Sequence, residues 1–486
     1  MRTRLIRLLA LGVVAALMAL PTGPDATAAG PGVTPGPPKQ LHTTVVPGRQ
    51  AIEVTWSAPT GLPTPLLYDV MLDGVVVATV PLTTTSYTIT SGLELGHTYD
   101  VAVRGTIGIA TGKAASTEQT LYIAPVTTVQ DANPSNPLAG REWGVYLGLQ
   151  DPAYNGWAKL GQAAQDELAP IAMIHKAKFF GKWVADSQAD DLTRQYIDNA
   201  QDGDPTRLTI MTLFRMFPWE GEARIDKRLP TEAEQASYKT FVRGVARAID
   251  DNPVAVVLQP DGYFVKKAFE AYADKLGRKQ ALLPARLLKW TSKTLSAQPH
   301  TTVYVDMGSE DWALGDAATV AKWLKLSGVE FARGFSMNVS HKNYLDREIN
   351  FAKEVSQQLA DLGLPGKHAV LDTSDNGQPF AGSEINPRGP HSGPYTAPGE
   401  INPCTKKNQK NPCTALGVPP TTDVDNPLWG LSAADEATAA KYVDAYLWVS
   451  RPWLPNQGTG GAKFDKGMAT RLLKTWEFSP YFTGTP

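Results

Sequence analysis

Several short apolar runs in this chain stop at a residue that can do acid–base chemistry. Asp261 follows VAVVLQP, Asp306 closes TVYVD, Asn338 follows GFSM, and Asp372 closes HAVLD with Thr373, Ser374, Asp375 and Asn376 directly behind it. Glu220 lies a few residues beyond a further run, LTIMTLF (208–214). One aspartate in such a place is ordinarily a helix cap. Carboxylates at several run ends point instead to a shared site, where one group donates a proton and another activates water. Trp143, Trp183, Trp219, Trp312, Trp429 and Trp453 flank the same places or occupy loops. A flat ring with a polar edge suits the face of a pyranose. Trp448, inside an apolar run, reads as core. Carboxylates with tryptophan platforms suggest glycoside hydrolysis, which needs a proton donor kept protonated by burial or by a neighbouring carboxylate.

The elements that must position these residues form an alternating series from about residue 138. Strands are expected at 142–148, 208–214, 254–260, 302–306, 331–339, 368–374 and 442–449, with helices between them such as 231–250 and 282–295. Strand–helix alternation implies a parallel sheet with right-handed crossovers. Seven strands in some 350 residues suit a closed or nearly closed α/β barrel, whose site lies at the C-terminal strand ends. A doubly wound open sheet is the alternative, weakened because no G-x-G-x-x-G follows the first strand. There is no phosphate-binding loop, HExxH, GxSxG or internal repeat. The seven histidines show no metal-ligand spacing. No cofactor and no metal are expected.

Ahead of the barrel, residues 30–38 form a Pro/Gly linker, and 39–124 carry short alternating runs at 51–56, 68–74, 75–80, 85–90 and 98–105, which indicates a β-sandwich. A second linker spans 125–137, and the barrel domain runs from 138 to 486. The sandwich block resembles a fibronectin type III domain: Trp56 matches that family's core tryptophan, and Leu93 and Tyr99 match its LxPGTxY turn, with Leu95 and His97 in place of the Pro and Thr.

The 486-residue chain is 42% hydrophobic and 19% charged, with net charge −2, so nothing marks it as disordered or as a nucleic-acid binder. Arg2, Arg4 and Arg7 precede an apolar run at 8–20 and an A-x-A site at Ala26 and Ala28, so residues 1–29 read as a secretory signal peptide. An exported chain lives where thiols oxidise. Its two cysteines, Cys404 and Cys413, stand nine apart in a Pro-rich segment and are expected to form one local disulfide. The residues 379–430 around them form a long segment expected to border the site.

The ordered motifs of the second domain resemble glycoside hydrolase family 6, the inverting endoglucanases and cellobiohydrolases of β-1,4-glucan. LQPDGYF (258–264) is similar to the family's EPD strand end, VYVDMGSEDW (303–312) to YLDAGHAGW, GFSMNVS (334–340) to G-x-x-x-N-V-S, VLDTSDNGQ (370–378) to VIDTSRNGN, and VDAYLWV (443–449) to the final DAYLW strand. The resemblance implies a distorted seven-stranded barrel. It makes Asp261 the proton donor and Glu220 the second carboxylate that keeps the donor protonated and relays a proton from water. Trp183, Asp306, Trp312, Asn338 and Asp372 match sugar-site positions. Departures are Gln259 for the EPD Glu, Ser309 for the DAGH His, and Asp375 for the DTSRNG Arg. In the last loop, Ser450, Leu454 and Asn456 replace the family's Lys, Glu and Asp, and an Asn cannot serve as base. Three readings stay open: a β-glucan hydrolase working through Glu220, a hydrolase of another polysaccharide with Asp375 as base, and a glycan-binding or adhesion protein that does not cut. The expected partner is a polysaccharide, with no nucleic acid, no membrane span and a monomeric chain.

Overall fold

The computed structural model describes residues 34–46, 50–61, 63–94, 97–121, 135–216, 228–377, 415–454 and 463–478. Eight strands come first: β1 (Lys39–Val45), β2 (Ile52–Ser57), β3 (Leu67–Leu72), β4 (Val75–Pro81), β5 (Ser86–Ile89), β6 (Thr98–Ile107), β7 (Ala110–Thr111) and β8 (Ala115–Thr120). They make two antiparallel sheets, β1-β2-β5 and β4-β3-β6-β7, with β8 also paired to β6. Alternation closes the sandwich. Ile52, Val54 and Trp56 of β2 are buried while Glu53 is exposed, and they face Tyr68, Val70, Val101 and Val103 of the other sheet. The Trp56 ring meets Tyr68 edge-on at 5.5 Å. The five strand runs expected from sequence are present. β1, β7 and β8 add to them; β8, with the polar sequence ASTEQT, carries almost no apolar signal.

The second part is a seven-stranded parallel sheet: β9 (Lys178–Gly181), β10 (Thr209–Phe214), β11 (Val254–Leu258), β12 (Thr301–Asp306), β13 (Gly334–Met337), β14 (His368–Asp372) and β15 (Val443–Leu447). The strands follow in sequence order from β9 to β15, and a backbone hydrogen bond from Ala177 N to Trp448 O (2.8 Å) spans the seam between first and last. The architecture is the expected distorted α/β barrel. Both faces of the strands are largely buried, as in other parallel sheets, with β9 the least covered. On β11, Val254, Val256 and Leu258 pack outward against the helices, whereas Ala255 and Val257 fill the interior with Tyr304, Val370, Ala445 and Leu447.

One expected strand is corrected. Residues 142–148 form only an isolated bridge, Trp143 to Leu208. Their alternating apolar residues turn elsewhere: Val145, with Leu147 beside it, packs against the core of the N-terminal sandwich. The seventh strand is instead β9, whose four residues open with a lysine and so carry little periodic signal. The helices expected at 231–250 and 282–295 are Glu232–Ile249 and Leu283–Leu295. The first is started by a capping box between Thr231 and Glu234.

At the N-terminal end of the barrel, Asp444 of β15 binds several strands together. It accepts hydrogen bonds from Arg333 Nε (2.8 Å) and Nη2 (2.9 Å) and from Tyr304 Oη (2.7 Å), and pairs with His368 Nδ1 at 3.1 Å. Burial by itself would raise this carboxyl, yet Arg333 and His368 hold it below the usual range.

Candidate active site

At the opposite end, β11 runs into Gln259 and Asp261, both with left-handed backbone (φ 57° and 64°). Two such residues in one turn are costly and concentrate at functional sites. Gln259 offsets part of that strain: its Oε1 accepts from the backbone N–H groups of Arg215 (3.3 Å) and Met216 (3.2 Å), and its own backbone N–H donates to Leu213 O at 2.7 Å. Asp261 is partly buried, and burial pushes its carboxyl above the usual range against the pull of His341 and Lys267. Asp306, at the end of β12, is fully buried. Its Oδ1 accepts from the amides of Gly262 (3.1 Å) and Gly308 (3.0 Å) and its Oδ2 from Ser336 Oγ (3.1 Å). Burial raises this carboxyl well above the usual range, and the nearby Asp261 adds to the effect. Asp306 therefore fixes the turn that carries Asp261. No side chain fits at Gly262, because a Cβ there would stand 1.8 Å from the Asp306 carbonyl oxygen.

Next to this turn lies an aromatic and ionic cluster. Trp312 has the ring of Tyr263 at 5.4 Å, Phe264 at 5.0 Å and Lys267 Nζ at 5.1 Å. His341 stacks on Trp312 at 5.2 Å with 25° between planes. His341 Nδ1 also pairs with Asp311 Oδ1 at 3.2 Å, and Ser309 Oγ donates to the same oxygen. Burial would lower His341, but Asp311 first, then Asp261 and Glu348, outweigh it, so its net shift is upward. Glu348 is fully buried, with Oε1 accepting from Asn343 Nδ2 (2.7 Å) and the Glu310 amide (2.9 Å). Burial pushes it up to about 8.

The ends of β13 and β14 interlock. Asn338 (φ 68°) donates through Nδ2 to Asp372 O at 2.9 Å and accepts from the Asn343 amide at 3.2 Å. Asp372 accepts five hydrogen bonds: Val449 N (3.1 Å), Ser374 N (3.0 Å) and Ser374 Oγ (2.7 Å) on Oδ1, and Ser450 N (2.7 Å) and Ser450 Oγ (2.5 Å) on Oδ2. It is pushed to about 6, by burial first and by the charge of Asp375 second. Asp375 is buried and pairs with Lys342 Nζ at 3.1 Å.

The tryptophans divide. Trp143 is completely buried in the barrel interior with Nε1 on Leu138 O (2.9 Å), and Trp429 is buried with Nε1 on Asp423 O (2.5 Å). Both were expected as sugar platforms. In the structure both are core residues, since neither offers an open ring face. Trp448 and Trp453 are core as well. Trp183, just past β9, is 41% exposed and keeps a free surface. Asp261, Asp306, Trp312, Asn338, Asp372 and Asp375 thus come together at one barrel end. Glu220, Trp219, Asn456, Cys404 and Cys413 lie outside the described residues. His341, Asp311, Tyr263, Lys267 and Glu348 were not singled out from the sequence; a histidine directly behind the NVS motif, in a chain with only seven, was the available signal.

At the barrel seam, Tyr146, Asp151, Lys176, Lys178, Phe179 and Arg451 help line a small cleft. Burial brings Lys178 down to about 8.

Residues 150–453, more than half of the chain, match the family model for glycosyl hydrolases family 6. The chain belongs to that family. Endoglucanase A of Cellulomonas fimi is 27% identical over 246 residues, which cover 51% of this chain and 49% of that enzyme. The chain thus spans about half the length of that relative. Endoglucanase 1 of Streptomyces halstedii is 32% identical over 233 residues, 48% of this chain and 68% of that enzyme. Among solved structures, a mutant of the Humicola insolens cellobiohydrolase Cel6A, in complex with a cellobio-derived isofagomine, shares the fold. It has a TM-score of 0.50 and 16% identity, over 70% of this chain and 99% of that one. No helix among the described residues is long and apolar enough to cross a membrane.

Proposed function

We propose that this family 6 protein hydrolyses β-1,4-glucan with inversion, with Asp261 as proton donor. The observation that carries the reading is the Asp261 carboxyl, held on a left-handed turn at the end of β11 and biased by burial toward its protonated form. A donor so biased can protonate the glycosidic oxygen near neutral pH. Glu220 is the proposed terminus for the proton that water gives up, as the family resemblance implies, while Asp375 is engaged by Lys342. The endoglucanase names of the two sequence relatives support a β-1,4-glucan substrate. A second reading, action on a different glycan, is favoured by Ser450: where the family carries a lysine, this hydroxyl is spent on Asp372 and on the Ser340 amide (2.8 Å).

The N-terminal sandwich fits a fibronectin type III module. Trp56 lies in its core, and Tyr99 Oη accepts from the Glu94 amide five residues upstream, in the manner of a tyrosine corner. Export, expected from residues 1–29, suits an extracellular polymer substrate. The test is release of soluble sugar from amorphous cellulose and mixed-linkage glucan by wild type and Asp261→Ala, with NMR of the first anomer formed. Wild type should release α-anomers, and the variant should fall by roughly 10²–10⁴-fold. Equal release by the two proteins overturns the assignment.

A further inference from the structure

An imidazole reaches the aromatic cluster next to the proton donor's turn from an unexpected direction. The family resemblance places a histidine at 309, on the loop after β12, where this chain has Ser309. The ring found here comes from the loop after β13. His341 lies flat on Trp312 (5.2 Å, 25°), pairs with Asp311 at 3.2 Å, and Ser309 reaches the same Asp311 oxygen. Trp312 in turn touches Tyr263, two residues past Asp261. Serine, aspartate and histidine thus form one chain of contacts that fixes an ionisable ring next to the turn of the acid.

We propose that His341, paired with Asp311 and seated on Trp312, is a positioning residue that tunes the hold of Asp261 on its proton. The proposal rests on Asp261 being the general acid. Among the described residues, the charged groups that act on the two are as follows. Asp261 faces His341, Lys267 from the helix Phe264–Leu276, and Asp306 from β12. His341 faces Asp311, Asp261, and Glu348 from the helix Leu345–Asp361. An imidazolium favours the ionised form of a neighbouring carboxyl, so it opposes the effect of burial on Asp261. The donor works only while protonated, and activity fails as pH rises through its pKa. A charged His341 therefore moves that failure to lower pH.

The test is the alkaline limb of kcat/KM on a soluble cello-oligosaccharide, which reports the free enzyme's acid. His341→Gln removes the charge and should move the limb up by about half a pH unit or more. His341→Arg keeps a charge and should leave the limb near wild type. A ring needed only for packing would lower activity in both variants without moving the limb. An unmoved limb in His341→Gln, or equal shifts in both variants, overturns the proposal. An independent measurement needs no turnover. By reciprocity, Asp261→Asn should lower the titration midpoint of His341 followed by NMR in the full chain, and an unchanged midpoint also overturns it. Full activity in Asp261→Ala would instead remove the general-acid assignment, which is a separate failure.

Discussion

Glu348 shows how much a single side chain at this site is asked to tolerate. It is fully buried, satisfied on one oxygen by Asn343 and the Glu310 amide, and has no hydrogen-bond partner on the other. Its carboxyl sits at about 8, against an ordinary value of 4.5. The folded state therefore holds a proton that the unfolded chain has released, and this group's contribution to stability falls as pH rises from about 4.5 to 8. Glu348→Gln keeps the shape and removes the titration. Its melting temperature should vary less with pH over that window than wild type's, in scanning calorimetry at several pH values. The acidic positions at this scale were legible because the stop of an apolar run is itself a sequence feature, and Asp261, Asp306 and Asp372 all lie at such stops. The roles of the rings were not. Trp143 and Trp312 look alike in sequence, yet one fills the barrel and the other lies at its mouth. His341 meets Asp311 only because β12 and β13 are neighbours in the sheet.

At the scale of elements, the site depends on how closely adjacent strand ends approach. Left-handed residues stand after β11 (Gln259, Asp261) and after β13 (Asn338, Ser340), and each reverses the chain sharply above the barrel. The β11 turn leaves no room for a methyl group at Gly262. Gly262→Ala should therefore push the Asp306 and Asp261 turns apart, costing about 1–3 kcal/mol in denaturant melts and a larger share of activity than of stability. Gly334, whose Cβ would stand 1.7 Å from His368 O, lies at the other end of its strand. Six of the seven barrel strands were readable because both faces are apolar, which gives continuous runs. β9 escaped because Lys178 and Gly181 bound only two aromatic residues, and 142–148 passed for a strand because its alternation serves the sandwich instead.

Across the whole molecule, chemistry and stability are placed at opposite ends. The Asp444 hub joins β12, β14 and β15 to Arg333 far from Asp261. Removing one partner of a buried ion pair leaves the other charge uncompensated, so Asp444→Asn should cost roughly 3–5 kcal/mol in urea unfolding. Hydrolysis by the remaining folded protein should be little changed. Since this carboxyl is held below its ordinary range, its contribution is present above about pH 4 and is lost as pH drops through the depressed value.

The join between the two parts has a practical corollary. Val145 and Leu147 belong by sequence to the barrel but are covered by the sandwich. Cutting the chain to leave only residues 135 onward would uncover both side chains next to Tyr146 and the exposed Leu149, creating a greasy spot. Such a trimmed protein should self-associate in light scattering where the longer one stays dispersed, and Val145→Ser with Leu147→Ser should cure it.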